Sequence, residues 1–282
     1  MNRTNIPLSK NGKKTEKIHL KNSHKAHLFS NLMMLLRQAT FFTLCFFIAS
    51  CGKNETETLP DLAKTYYPLQ IGKTFVYNID TIIYDPQPNN IIKIDTYRWQ
   101  VKEVFVDTFR SLNGQLLYKI ERSEHLRGDT LKFEVKKIFT AGLADNGALR
   151  TEDNLTFIKF PRFLGEKTIW DGNIYCDPTL IIEVAGERMG LFSKTWNYEV
   201  LTVGKSETIG SKTFDNVLTV RAQSDTRILT EKRYTLEKYA KDIGLVYKEQ
   251  HILDTQKLDA SIAWEKKAER GYIVQQTVVS YK

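Results

Sequence analysis

Phe75-Val76-Tyr77-Asn78-Ile79-Asp80 sets Phe75, Tyr77 and Ile79 on one side of an extended chain, and Asn78 and Asp80 on the other. Successive side chains of a strand point to opposite faces, so this period of two describes a strand with one buried and one wetted face. That is the pattern of antiparallel rather than parallel sheet. It recurs downstream, where Tyr97, Trp99 and Val101 oppose Arg98, Gln100 and Lys102. Leu116, Tyr118 and Ile120 likewise oppose Lys119 and Glu121, and Leu131, Phe133 and Val135 oppose Lys132, Glu134 and Lys136. After Val101 the next apolar residues are Val104 and Val106, a slip of one position that predicts a bulge near Lys102-Glu103.

Further strand-like runs stand at Phe157–Phe160, Trp196–Val203, Val217–Arg221, Arg233–Leu236 and Leu245–Glu249. Turn formers separate the runs: Pro86 to Asn90, Asn113-Gly114, Gly128-Asp129, Asp145-Asn146-Gly147 and Asp171-Gly172-Asn173. Near the end, Leu258, Ile262 and Glu265 suit a helix, but Tyr272-Ile273-Val274 and Thr277-Val278-Val279 read as strand. A closing hairpin that turns at Ala268-Glu269-Arg270-Gly271 is therefore expected. The expected fold is all-β, one antiparallel domain over 66–282, with little helix outside the N-terminal segment.

The N-terminal segment has a different character. Of the +8 net charge of the 282 residues, residues 1–50 hold +7, with eight basic side chains and one acidic. The remainder has 33 basic and 32 acidic side chains. A near-neutral domain lacks the field of a phosphate-backbone binder, so no nucleic-acid partner is expected. Around Met33-Met34-Leu35-Leu36-Arg37 a short basic start leads into the apolar run Ala39–Ser50, about a dozen residues and short of the ~20 of a membrane-spanning helix. Length and charge order are those of a cleaved signal peptide over 1–50. Residues 1–32 exceed an ordinary signal start, which places the expected start of translation at Met33 or Met34.

Ile48-Ala49-Ser50-Cys51 resembles the lipobox of bacterial lipoproteins, in which small residues precede an acylated cysteine. The resemblance implies a lipid (palmitate-type) modification at Cys51 and a membrane as the first partner. Two or three acyl chains at ~0.8 kcal/mol per buried methylene would make that attachment effectively permanent. Residues 51–65 read as the lipid-anchored flexible tether. Gly52 stands where an Asp would direct retention at the inner membrane, and the acidic, Thr-rich stretch after it is similar to surface-directing segments of Bacteroidota lipoproteins. These features imply the outer membrane, on its periplasmic or its exposed side.

Tyr66–Tyr77, Gly210–Val217 and Ile243-Gly244-Leu245-Val246 are similar to segments of uncharacterised, lipid-anchored lipoproteins of the Bacteroidota. Their spacing also resembles the strongly curved, half-barrel-like sheets of periplasmic lipoprotein carriers. That likeness implies an apolar concave face and a lipid-like ligand, or an envelope protein as partner.

Chemical motifs are few. His125 and His251 lack a second ligand at metal spacing, apart from Asp254 three residues beyond His251, and read as surface or strand-end side chains. No Gly-x-Ser-x-Gly turn exposes a nucleophile. Gly72-Lys73-Thr74 and Gly204-Lys205-Ser206 end like phosphate loops, but Tyr67 and Glu199 stand where the first glycine is required. Asp80, Asp95 and Asp107 are candidate carboxylates for a hydrolase, though solvated strand faces are the preferred account of them. Asp80-Thr81-Ile82 and Asp129-Thr130-Leu131 are similar to the Bacteroidota O-glycosylation sequon. With Cys45 in the signal and Cys51 acylated, Cys176 is left without a disulfide partner and reads as a small buried hydrophobe. The sequence assigns no catalytic residue, no metal ligand and no cofactor. The expected role is a non-catalytic binding or assembly module at the envelope, with a carboxylate hydrolase or a purely structural surface protein as alternatives.

Overall fold

The computed structural model describes residues 61–126, 133–194 and 196–282. Cys51 and its lipobox-like run, the expected signal and most of the tether lie outside these residues, as do Thr130, Leu131 and Lys132. Pro60–Lys282 is a compact unit by itself.

Strand is the dominant structure of the unit, with very little helix. Its elements are helix α1 (Leu62–Tyr66), then β1 (Thr74–Gln87), β2 (Ile91–Arg110), β3 (Leu116–Leu126), β4 (Glu134–Ala144), β5 (Gly147–Glu152) and β6 (Leu155–Pro161). A second run follows with β7 (Ile169–Trp170), β8 (Ile181–Val184), β9 (Glu187–Gly190), β10 (Asn197–Ile209), β11 (Lys212–Gln223), β12 (Glu231–Ala240) and β13 (Gly244–Asp254). Helix α2 (Trp264–Lys267) and β14 (Arg270–Tyr281) close the chain.

Twelve strands form one antiparallel sheet in the order β6-β5-β4-β3-β2-β1-β14-β13-β12-β11-β10-β7. Its two ends nearly meet. The Ile158 amide on β6 donates to the Gly172 carbonyl at 2.9 Å, and Trp170 Nε1 on β7 donates to the Ile158 carbonyl at 2.8 Å. The expected curved sheet is thus a nearly closed barrel, with little exposed edge to recruit another chain.

The strands arise where the alternation placed them. Phe75, Tyr77 and Ile79 point inward and are buried, as are Val101, Phe105 and Ile120. Three predicted turns join successive strands at Pro88–Asn90, Asn113-Gly114 and Asp145-Asn146. At Gly147 (φ +136) a Cβ would stand 1.9 Å from the Phe160 carbonyl oxygen, so only glycine lets β5 approach β6 there. The outer wall carries Asn78, Asp80, Arg98, Gln100 and Lys102, with Arg98 Nε 3.4 Å from Asp80. At these positions of β1 and β2 the wall is polar.

Four expectations are corrected. The tether stops short of residue 65: Asp61 caps α1 by accepting from the Lys64 amide at 3.2 Å, and Ala63 and Tyr66 bury against the sheet. The bulge is not at Lys102-Glu103, where β1 and β2 pair without a break, but between Phe105 and Asp107 against β3. The alternation only looked broken, because Glu103 is itself an inward, buried residue, 2% exposed.

In β4 a register shift at Lys136 turns Val135 outward to 53% exposure and leaves Phe133 half-buried against His125. Phe139 and Ala141 hold the core positions instead. Finally, Arg270 begins β14, so the tail does not turn at Ala268–Gly271. β14 pairs with β13 across a long connection containing one turn of helix, and seals the sheet against β1. Tyr84, Leu253, Ala268 and Ile273 form a small second core beneath that connection.

Candidate functional site

The barrel interior is the candidate site. Its floor is aromatic: Tyr67, directly after α1, packs edge-on to Phe160 and Tyr239 at 6.0 and 6.4 Å. Above the floor an ion network crosses the lumen. Glu103 on β2 accepts from Arg122 Nη1 of β3 at 3.0 Å and from Arg150 Nη2 of β5 at 2.8 Å. Arg150 also holds Glu152, and both guanidinium groups lie over the Phe139 ring at 5.7 and 5.3 Å. From β6, Lys159 reaches across to Glu237 of β12 at 2.7 Å, and Glu237 also accepts from the Tyr239 hydroxyl at 2.5 Å.

Burial raises the pKa of a carboxyl group, but the neighbouring cations reverse that here. Against burial, Lys248, Arg150, Lys159 and Arg122 hold Glu152 well below the ordinary carboxylate range. Against burial, Lys159 and Lys248 also lower Glu237. Both are therefore anions at neutral pH.

Beside the network opens a cavity of about 690 Å³. Its two walls differ. One presents Trp99, Ile83, Tyr272 and Val274 from β2, β1 and β14, and the other presents Lys137, Arg150 and Lys159 from β4, β5 and β6 with Asp153 from the β5–β6 turn. Val184 and Ala185 reach in from the β8–β9 hairpin, whose tip turns through Ala185 (φ 51) and Gly186 (φ 82). Arg233, 2% exposed, fastens that hairpin to the sheet. Its Nε donates to the Gly190 carbonyl at 3.1 Å and its Nη1 to the Leu253 carbonyl at 2.8 Å, while Nη2 pairs with Asp254 at 2.8 Å. The expected apolar concave face is corrected accordingly: the interior is amphipathic, with charge concentrated at its centre.

The residues singled out from sequence fall elsewhere. Asp80, Asp95 and Asp107 do not converge: Asp80 and Arg98 face water, Asp95 takes Lys93 at 2.8 Å, and Asp107 caps the Thr108 amide at 2.7 Å. His125 donates Nδ1–H to the Leu126 carbonyl at 2.7 Å. His251 is not at the surface but 5% exposed in mid-strand beneath α2, its Nε2 bonded to Glu249 at 2.6 Å. Among the described residues no group of His, Cys, Asp or Glu has the geometry to hold a metal ion. Gly72 adopts positive φ at a turn before β1, as its place at a strand entry implied, whereas Gly204 lies inside β10, where its positive φ falls at a break in the pairing with β11 and not at a strand entry.

Cys176 is half-buried and its thiol donates to the Thr156 carbonyl at 3.4 Å; burial raises its pKa, which makes it a poor nucleophile. Thr81 of the first glycosylation-like triplet points inward at 6% exposure, where no glycan can sit in the folded chain. The interior charges Glu103, Arg150, Lys159 and Glu237 were missed. The one signal for them was the apparent slip after Val101.

A nearly closed, twelve-stranded antiparallel barrel with a polar lumen is the class that this architecture defines. No family model matches the chain, and no curated protein matches it. Solved structures resemble it, two of them as follows. One is a Bacteroides fragilis protein described as exported and of YmcC-like fold, 13% identical, covering 77% of this chain and 99% of its own, with a TM-score of 0.34. The other is a Parabacteroides distasonis protein described as a lipoprotein, 12% identical, covering 77% of this chain and 98% of its own, with a TM-score of 0.30.

Proposed function

We propose that this chain is a non-catalytic, lipid-anchored protein of the outer membrane that binds a small amphipathic ligand inside its barrel. The anchor rests on the lipobox-like run ending at Cys51 and the polar segment after it. The binding role rests on one observation, a cavity of about 690 Å³ with an apolar wall facing a charged one. Ligand sites combine such apolar lining with a few oriented polar groups, and this volume lies within their usual range. A hydrolase reading is disfavoured by the same network. A carboxylate pair needs one member protonated near neutral pH to act as general acid, and Glu152 and Glu237 are both held low.

The test is saturable binding of the uncharged dye N-phenyl-1-naphthylamine to the Pro60–Lys282 unit. That unit contains every described strand and both apolar clusters, so it carries its own core. Val274→Trp, which fills the cavity from β14, should abolish the signal, and native mass spectrometry of the unit from cells should show an added mass that this variant lacks. Absence of saturable dye binding by the parent refutes the proposal.

A further inference from the structure

The strand registers order the inner wall into rows. One row runs Trp99 (β2), Ile79 (β1), Gln276 (β14), Lys248 (β13) and Glu237 (β12), each directly opposite the next. The row above it contains Thr81, Val274 and Gln250. In the first row Lys248 differs from the other cations of the network. Lys159, Arg122 and Arg150 each donate to a carboxylate within 3.0 Å. The Lys248 ammonium stands 3.7 Å from Glu152 and 3.9 Å from Glu237, and among the described residues it has no acceptor at hydrogen-bonding distance.

Its neighbours are in the same condition. Gln276 is 6% exposed and its amide makes no hydrogen bond among the described residues, while the buried Thr81 hydroxyl has no partner either. All three line the cavity. A buried hydroxyl without a partner is costly and therefore uncommon, so Thr81, set beside a Gln276 amide that makes no hydrogen bond and a partly exposed Lys248 held only by long ion pairs, marks the place of an acceptor. Glu152 and Glu237 flank Lys248, but each has a closer donor, Arg150 for Glu152 and Lys159 and the Tyr239 hydroxyl for Glu237, so Lys248 offsets their charge from a distance without a hydrogen bond to either.

We infer that Lys248, Gln276 and Thr81 bind the anionic head of an amphiphile, a carboxylate or a phosphate, whose apolar body lies along Trp99, Ile83 and Val274. The inference rests on the cavity-binding role proposed above and names the chemistry of its ligand. Nothing in the sequence pattern signals it, because the three residues are 167 and 28 positions apart and meet only through the β1–β14–β13 pairing.

Two dyes separate this inference from the role it rests on. N-phenyl-1-naphthylamine and 1-anilinonaphthalene-8-sulfonate share one apolar body and differ in a single anionic group. The Pro60–Lys282 unit should bind the sulfonate at least tenfold more tightly. Lys248→Gln should erase that preference and leave binding of the uncharged dye unchanged, Lys248→Arg should restore most of it, and Thr81→Val should reduce it severalfold. Should Lys248→Gln fail to fold, Gln276→Leu and Thr81→Val carry the same comparison. Displacement by dodecanoate identifies a carboxylate head and displacement by dodecyl phosphate a phosphate one. Displacement by dodecanol equally well overturns the inference. Uncharged-dye binding without a sulfonate preference, or an unchanged preference in all three variants, also overturns it and leaves the cavity role standing. Loss of all binding in the parent removes both.

Discussion

Glu103→Gln is the sharpest test of the charged interior. The substitution keeps the shape of the side chain and removes its charge, leaving Arg122 and Arg150, 15% and 8% exposed, without the carboxylate they share at 3.0 and 2.8 Å. Removing one partner of a buried ion pair costs about 3–5 kcal/mol, because the remaining charge stays desolvated. Against the ~5–15 kcal/mol stability typical of a domain, that is about a fifth or more. The adjacent Lys102 faces the other way, and Lys102→Gln should stay within about 0.5 kcal/mol of the parent. Urea midpoints of the Pro60–Lys282 unit, read by tryptophan fluorescence, compare the two. A Glu103→Gln midpoint indistinguishable from that of Lys102→Gln would show that the network is hydrated and that the lumen is open water.

Acidification tests the same network from another side. Glu152 titrates well below its ordinary 4.5 when folded, so its contribution to stability is fully present above that value and is lost as pH falls through the folded pKa. Stability should therefore decline below about pH 4.5, and Glu152→Gln should flatten that decline; identical pH profiles for parent and variant would contradict it. In β4, Phe139→Ala should cost about 3–5 kcal/mol as a buried aromatic does. Phe133→Ala, which loses mainly its contact with His125, should cost roughly 1 kcal/mol, and the reverse order of denaturation midpoints would restore the strand faces read from sequence. At the N-terminus, Cys51→Ala should abolish incorporation of a clickable palmitate and leave an unprocessed precursor. Continued labelling of that variant would end the lipoprotein reading.

Much of the fold was legible because a strand at a water boundary writes its two faces into the sequence. Phe75, Tyr77 and Ile79 against Asn78 and Asp80 fixed both the existence and the facing of β1. The glycines and asparagines between such runs placed three of the hairpins. β2 and β12 were half-legible. On β12 the inward residues are Arg233, Thr235, Glu237 and Tyr239, while Tyr234 and Leu236 lie on the other face, so polarity there inverts the usual rule. The reading of β4 failed for a related reason: one extra residue in the register exchanges the faces of every residue beyond it.

By itself, then, the sequence determined an antiparallel all-β domain and most of its turns, and it carries the N-terminal apolar run before Cys51 on which the export reading rests. Those are local properties, set by side chains two to four positions apart or by a single apolar run. Only the tertiary structure decided that the sheet curls until β6 meets β7, and that its lumen is charged. A charge is tolerated inside a barrel only where an opposite one meets it, and here the decisive partners arrive from distant strands. Glu103 finds Arg150 across 47 positions and Lys159 finds Glu237 across 78, separations that no short-range pattern encodes.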